Sequence, residues 1–194
     1  MRKLICPKCG SKKVIRPVLS PAGAAFADDP GWKCRDCGFW APDFNIHKDK
    51  MKIRKATKKD LKEMLEIIKV NSPKYPILQA KKELNEMFSK SLLKPTYLVA
   101  EKGKEIVGLG GFIQSWADNI VINMFWINVH PECSQKNIGT KIINELIKEI
   151  KKLKDPKAKL IIISTKIPLF YKKFGFKKIT KYDREYMLME KKLK

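Results

Sequence analysis

From residue 51 onward the apolar positions follow two periods in turn. Met51-Lys-Ile-Arg-Lys-Ala alternates apolar and polar residues, the period of a half-buried strand. Thr57 then stands where a helix N-cap belongs, with Asp60 three residues on. Leu61, Met64, Leu65 and Ile68 follow at helical spacing and predict an amphipathic helix to about Val70. Pro73 and Pro76 break that period, and a second helix is expected over Leu78–Leu92. Two apolar runs, Thr96–Glu101 and Glu105–Trp116, flank Lys102-Gly103-Lys104 and read as a β-hairpin. Gly108, Gly110 and Gly111 interrupt the second run. With no following helix and no Gly-Lys-Ser/Thr they point to bulges or close backbone approach, not to a phosphate loop.

A longer strand is expected over Asn119–Val129, turned back across Ala117-Asp118. Its apolar residues fall on both faces, which suits the centre of a sheet. His130-Pro131-Glu132 ends it. A helix from about Ile138 to Leu153 carries Ile142, Ile143, Leu146, Ile147 and Ile150 in one stripe. Lys159–Ser164 reads as a short buried strand, followed by a brief helix to Phe174 and strands at Phe176–Ile179 and Glu185–Glu190. The order β-α-α-β-β-β-α-β-α-β-β predicts a mixed α/β (α+β) domain over residues 51–194, built on a central sheet flanked by helices.

The first fifty residues lack these periods and carry cysteines instead. Cys6-Pro-Lys-Cys9-Gly10 and Cys34-Arg-Asp-Cys37-Gly38 are matched pairs separated by 24 residues. A two-residue spacing lets both sulfurs of one tight turn face the same ion, and two such turns complete a closed tetrahedral site. The trailing glycines let backbone amides turn toward the thiolates. Disulfides or a redox motif would not explain two pairs each followed by glycine, and no thioredoxin-like βαβ pattern surrounds them. So short a segment buries little core, so bound metal must supply much of its folding free energy, roughly 10–16 kcal/mol in zinc-finger peptides. Val14–Val18 reads as a strand, Pro21–Pro30 as a loop and Asn45–Lys50 as a linker in which His47 is a solvated residue. Residues 1–47 thus resemble the zinc ribbons at the ends of many archaeal and bacterial proteins, with Cys6, Cys9, Cys34 and Cys37 holding a structural Zn2+.

Composition adds a polarity. The 194-residue chain has 42 Lys and Arg against 20 Asp and Glu, a formal charge of +22, of which +17 falls on residues 51–194. Such a field attracts polyanions, whether nucleic acid, an acidic protein or a phosphate-bearing cosubstrate; solvated lysines on helix faces account for the count equally well. No stretch has the roughly 18 continuous apolar residues of a membrane span, so no membrane partner is expected. The first ten residues lack the apolar segment of a secretory signal, and a cytoplasmic protein is expected.

The chemistry concentrates after the long strand. In Ile127-Asn-Val-His-Pro-Glu-Cys-Ser-Gln-Lys-Asn-Ile-Gly-Thr140 a strand ends, a loop follows and a helix begins near Ile138. Free backbone N–H groups over Gln135–Thr140 at a helix N-terminus form an anion site. Gly139 permits close approach of a phosphate, and Lys136 and Lys141 add charge.

This stretch resembles the pyrophosphate loop of the GNAT acetyltransferases, Arg/Gln-x-x-Gly-x-Gly/Ala after a strand ending in Val-x-Pro. Ser134 stands at the Arg/Gln position, Asn137 at the first Gly and Gly139 at the second. Leu169-Phe-Tyr171-Lys-Lys-Phe-Gly175-Phe176 matches a second landmark of the family, and the resemblance spans about residues 51–190.

It implies an N-acetyltransferase with acetyl-CoA as cosubstrate, bound by the backbone of Ile127, Asn128 and Val129, by the loop residues Ser134, Gln135, Lys136, Asn137, Ile138, Gly139 and Thr140, and by Ser164, where many members have a CoA-contacting Asn. It implies that Tyr171 protonates the departing thiolate, and that the acetyl group passes directly to a primary amine on a small molecule, a protein or RNA. An amide N–H near Ile127 or Val129 would polarise the thioester carbonyl.

The amine must lose a proton, and the sequence names no base. Asp118 and Glu132 only flank the long strand, His130 before proline reads as structural, and Cys133 has no base beside it in sequence. The positive field favours an anionic or RNA-borne amine over a polyamine, with the ribbon as a docking module. The competing reading is a non-catalytic nucleic-acid- or protein-binding module on the same scaffold.

Overall fold

The computed structural model describes residues 6, 8–15, 32–41, 51–133 and 137–193. The chain divides into two compact units, residues 1–50 and 51–194. The loop expected at residues 21–30, the linker at 45–50 with His47, and Ser134, Gln135 and Lys136 lie outside the described residues.

In the first unit, β1 (Val14–Ile15), β2 (Trp32–Cys34) and β3 (Trp40–Ala41) form an antiparallel sheet in that order. Val14 stands opposite Cys34, which ties the sheet register to a cysteine turn.

The second unit follows the expected order of elements. Its strands are β4 (Lys52–Lys55), β5 (Thr96–Lys102), β6 (Glu105–Gln114), β7 (Val121–Val129), β8 (Leu160–Thr165), β9 (Lys177–Lys181) and β10 (Met187–Lys192). Among the described residues they form one seven-stranded sheet, β4-β5-β6-β7-β8-β10-β9. β7 is its central strand, and β7–β8 is the parallel pair among antiparallel neighbours.

α1 (Leu61–Asn71) and α2 (Ile77–Glu86) cover one face of the sheet; α3 (Ile138–Lys151) covers the other, with the short α4 (Pro168–Lys172) beside it. The alternation of β5 divides the two cores. Tyr97 and Val99 pack with Met64, Ile67, Ile68 and Leu84, while Leu98 and Ala100 pack with Ile142, Ile143, Leu146 and Ile150. Burying one such Leu or Ile contributes about 1.5–3 kcal/mol, so the α3 stripe anchors the helix whose N-terminus matters below.

Several element ends differ from expectation, that of α2 by the most. α2 stops at Glu86, not near Leu92, because the serines beyond it take local bonds. The Phe88 and Ser89 amides turn back to the Asn85 and Glu86 carbonyls, and the Ser89 hydroxyl accepts from the Ser91 amide. β7 begins at Val121 because Asp118 closes a turn, accepting from the Ile120 amide at 3.1 Å.

The entry to α1 is built from an ion pair between half-buried Arg54 and the buried Asp60 carboxylate. Thr57 donates its amide and hydroxyl to Asp60 (2.7 and 2.9 Å), and Arg54 meets the same carboxylate through two nitrogens at 2.7 and 2.9 Å. Arg54 also reaches Glu101 on β5. The guanidinium holds the Asp60 carboxyl down at about 2.

Candidate active site

The long strand contains an irregularity that its composition does not announce. Leu109 of β6 pairs with Asn128, but Gly111 pairs with Phe125, so Trp126 and Ile127 together oppose Gly110. This is a β-bulge, and Trp126 adopts the left-handed conformation at φ +51°. An extra residue inverts the alternation of every side chain beyond it. Ile122 and Met124 face the α3 core; Phe125 and Trp126 both face the α1/α2 core; Ile127 and Val129 face α3 again. Gly110 and Gly111 permit the close fit around the bulge. A Cβ on Gly110 would stand 2.8 Å from Ile142 and Leu146, and one on Gly111 would stand 2.7 Å from the Tyr97 ring.

Just before the bulge the sheet forks. β8 pairs with β7 only from Val121↔Leu160 to Met124↔Ile163. Beyond Met124, β7 keeps β6 on one edge and has no strand on the other among the described residues, while Ser164 and Thr165 pair with β10 alone. Asn71 at the end of α1 donates to the Val129 carbonyl at 3.1 Å and to the Ile67 carbonyl at 2.9 Å, pinning the helix end to the fork.

A cavity of about 200 Å3 lies at the N-terminus of α3, lined by Val129, Cys133, Asn137, Gly139, Thr140 and Phe170 with Ile138 and Lys173. Asn137 caps the helix at φ +57°, ψ +18°, a left-handed position that Asn tolerates better than other non-glycine residues. Gly139 is the informative residue. Among the described residues a Cβ there would meet only Phe170 at 3.4 Å and Val129 at 3.8 Å, ordinary contacts, so their packing does not require glycine. The open backbone faces the cavity.

Lys173 is a cation that sequence reading passed over. Its Nζ lies 3.5 Å from the Thr140 hydroxyl and 4.1 Å over the Phe170 ring. Its signal was its place two residues after Tyr171. Lys141, by contrast, lines a separate cleft with Met51 and Ile53.

Tyr171 sits on α4, 4% exposed, edge-on to Phe170 and Phe176. It belongs to the same core as Ile127 and Val129, and burial pushes its phenol up to about 12. Ser164 is exposed, and its hydroxyl is hydrogen-bonded to Tyr182. On β8 it faces the side opposite Ile163, away from the α3 core. The structure thus brings Ile127, Val129, Asn137, Gly139, Thr140 and Tyr171 to one face of the fork and sets Ser164 on the other.

On that other face lies a cavity of about 440 Å3 between α2 and β7, lined by Tyr75, Glu83, Tyr97, Phe125 and Trp126 with Glu86, Pro95 and Ile113. The Glu83 carboxylate accepts from the Tyr75 hydroxyl at 2.6 Å, the Gln79 amide at 3.0 Å and the Trp126 indole at 2.9 Å. None of these residues was singled out from sequence, because α2 and β7 are brought together only by the fold.

In the first unit the four cysteine Sγ atoms lie within 4.8 Å of one another, with Cys6–Cys37 at 3.6 Å and Cys9–Cys34 at 3.5 Å. Zinc–sulfur bonds of about 2.3 Å in a tetrahedron put sulfurs about 3.8 Å apart, so the donor set fits that ion. Burial pushes the Cys34 thiol up, but the Cys37 and Asp36 amides and the neighbouring thiols bring it down to about 6. Gly10 and Gly38 take φ +76° and +69°, and their amides close each turn onto the Cys6 and Cys34 carbonyls at 2.8 and 3.0 Å.

Residues 94–178 match the acetyltransferase (GNAT) domain family. Among solved structures, a Desulfovibrio desulfuricans protein described as a GNAT acetyltransferase superposes with a TM-score of 0.62 at 14% identity, covering 74% of this chain and 98% of that one. The PaiA N-acetyltransferase of Thermoplasma acidophilum, solved with coenzyme A, gives 0.58 at 20% identity, covering 74% and 99%. An aminoglycoside 6′-N-acetyltransferase complexed with coenzyme A gives 0.60 at 17% identity, covering 73% and 97%. No curated protein sequence matches this chain. The second unit therefore has the GNAT fold, a mixed α+β sheet of seven strands flanked by helices. No helix among the described residues is long and apolar enough to cross a membrane.

Proposed function

We propose that the chain is an acetyl-CoA-dependent N-acetyltransferase that moves the acetyl group directly to a primary amine. The observation that carries this is the fork, where β7 leaves β8 at Met124 and runs on beside the N-terminus of α3. A thioester arm laid along β7 from Ile127 through Asn128 to Val129 would carry its phosphates to Asn137–Thr140, where helix N–H groups and Lys173 meet them. Ser134, Gln135 and Lys136 complete that loop in sequence. Ser164 faces the side away from α3, where Tyr182 holds its hydroxyl, so a contact from Ser164 to the cosubstrate is the weakest part of the set.

In the transfer, the amine nitrogen forms a C–N bond to the acetyl carbon as the C–S bond breaks. The nitrogen gives up a proton to solvent, and the departing thiolate takes one from Tyr171, which regains it from water. A phenol held near 12 is fully protonated at neutral pH and is a donor.

Cys6, Cys9, Cys34 and Cys37 would hold a structural zinc, which supplies folding free energy to the first unit and has no open position for chemistry. The +22 charge also suits binding of polyanions such as RNA, checked by salt-dependent retention.

Calorimetry with acetyl-CoA tests the reading. Binding in the micromolar range is expected, and no binding at tens of micromolar overturns it in favour of a non-catalytic module. Tyr171→Phe should lower kcat about tenfold or more with acetyl-CoA affinity unchanged; an unaltered rate removes Tyr171 as the acid.

A further inference from the structure

The cavity between α2 and β7 contains groups that the transfer step above leaves unused. Two of its features have no purpose within the protein alone. The Tyr97 hydroxyl is wholly buried and has no hydrogen-bond partner, although leaving a buried polar group unpaired is costly and phenylalanine would fill the same space. The Glu83 carboxylate is fixed but not saturated. Tyr75 and Gln79 occupy one oxygen and Trp126 donates to the other, which leaves an acceptor site open there among the described residues.

We infer that this cavity is the acceptor pocket and that it takes an amine bearing one ammonium group on a flat apolar body. Glu83 receives the ammonium in its remaining acceptor site, and the Tyr97 hydroxyl, covered in the free protein, is uncovered as the amine seats and meets a polar atom beside it. Phe125, Ile113, Pro95 and the Trp126 ring supply an apolar enclosure, and Tyr75 stands edge-on to Trp126 at 4.8 Å. A cavity of about 440 Å3 suits a small molecule.

Charge narrows the class. In a chain of +22, this cavity has two carboxylates, Glu83 and Glu86, and no cation among the described residues that line it. An anionic amine would meet both carboxylates. Glu86 is exposed and accepts from the Ser89 hydroxyl at 2.8 Å, so its charge stays at the rim, and the further charges of a polyamine carried into the cavity would lie against Phe125, Ile113 and Pro95 without partners. The preference for an anionic or RNA-borne acceptor, read from net charge, is therefore reversed by the local surface. The bulge makes the arrangement possible, because it turns Phe125 and Trp126 toward α2 while Ile127 and Val129 turn toward the helix that would hold the phosphates.

This inference rests on the acetyltransferase reading for what becomes of the bound amine, not for the binding itself. The test is calorimetry on the full chain without cosubstrate, using 2-phenylethylamine, its neutral analogue 2-phenylethanol, the anion 3-phenylpropionate, and spermidine. The monoamine is expected to bind more tightly than the other three, with Glu83→Gln weakening it about tenfold or more. Tyr97→Phe, which fills the same space, should weaken it severalfold with an undiminished melting temperature. Equal or tighter binding of the alcohol, the anion or spermidine overturns the inference, as does wild-type affinity in both variants. Acetyl-CoA titrated into the same samples separates the two claims. Cosubstrate binding without amine binding removes the pocket and leaves the transferase; amine binding without cosubstrate binding does the opposite.

Discussion

The Trp126 indole N–H meets the Glu83 carboxylate at 2.9 Å across 43 residues of sequence. It joins the bulged centre of β7 to α2. Trp126 holds a left-handed backbone there, a strained state for a large side chain that persists only where surrounding structure enforces it. The hydrogen bond to Glu83, the edge contact with Tyr75 and the space opened by Gly110 and Gly111 together enforce it.

The neighbouring Tyr97 gives opposed effects on stability and binding. Removing its unpaired hydroxyl in Tyr97→Phe should stabilise the second unit by about 1 kcal/mol, since a buried group that makes no bond is lost. The midpoint of urea unfolding should rise while affinity for the monoamine falls. A fall in both would mean that the hydroxyl is bonded in the free protein.

Gly139→Ala separates cosubstrate binding from folding. The added methyl meets ordinary contacts at 3.4 and 3.8 Å, so the melting temperature should stay within about 2 °C of the parent. The methyl projects into the cavity at the α3 N-terminus, and acetyl-CoA affinity should fall about tenfold. Unchanged affinity would place the phosphates elsewhere.

Asp60 sets an acid limit on the second unit. Its carboxyl is held down at about 2 by Arg54, against an ordinary value of about 3.9 in the unfolded chain. The stabilisation is fully present above that ordinary value and is lost as pH falls through the folded one. A loss of about 2 kcal/mol is expected from this group between about pH 5 and pH 2, read from unfolding midpoints. Asp60→Asn should abolish that slope and lower stability at neutral pH, since among the described residues Arg54 keeps only Glu101 as a charged partner.

In the ribbon, Gly38→Ala tests backbone conformation apart from space. No described residue lies within 4 Å of a Cβ there, yet φ +69° disfavours any side chain. A cost of about 1–2 kcal/mol to metal-dependent folding is expected, seen as easier zinc loss to a chelator. One zinc per chain is expected in the parent protein, and Cys34→Ser should remove it without changing acetyl-CoA binding to the second unit.

Local rules carried the reading of this chain a long way. Paired Cys-x-x-Cys-Gly turns, the β-α-α-β-β-β-α-β-α-β-β order, and the helix start near Ile138 rest on spacing and backbone preference, which neighbouring residues specify. The end of α2 was missed because the Ser89 and Ser91 hydroxyls take the Ser91 amide and the Leu93 carbonyl, backbone groups that helix periodicity assigns elsewhere. The bulge at Trp126 depends on Gly110 and Gly111 across the sheet, and a strand apolar on both faces shows no break in alternation when one residue is inserted. Glu83, Tyr97 and Trp126 come from three elements, so their cavity and its negative charge exist only once α2 has packed on β5 and β7. Net charge is a sum over the whole chain and sets its long-range field; the choice of acceptor depends on the few groups that packing brings within hydrogen-bonding distance.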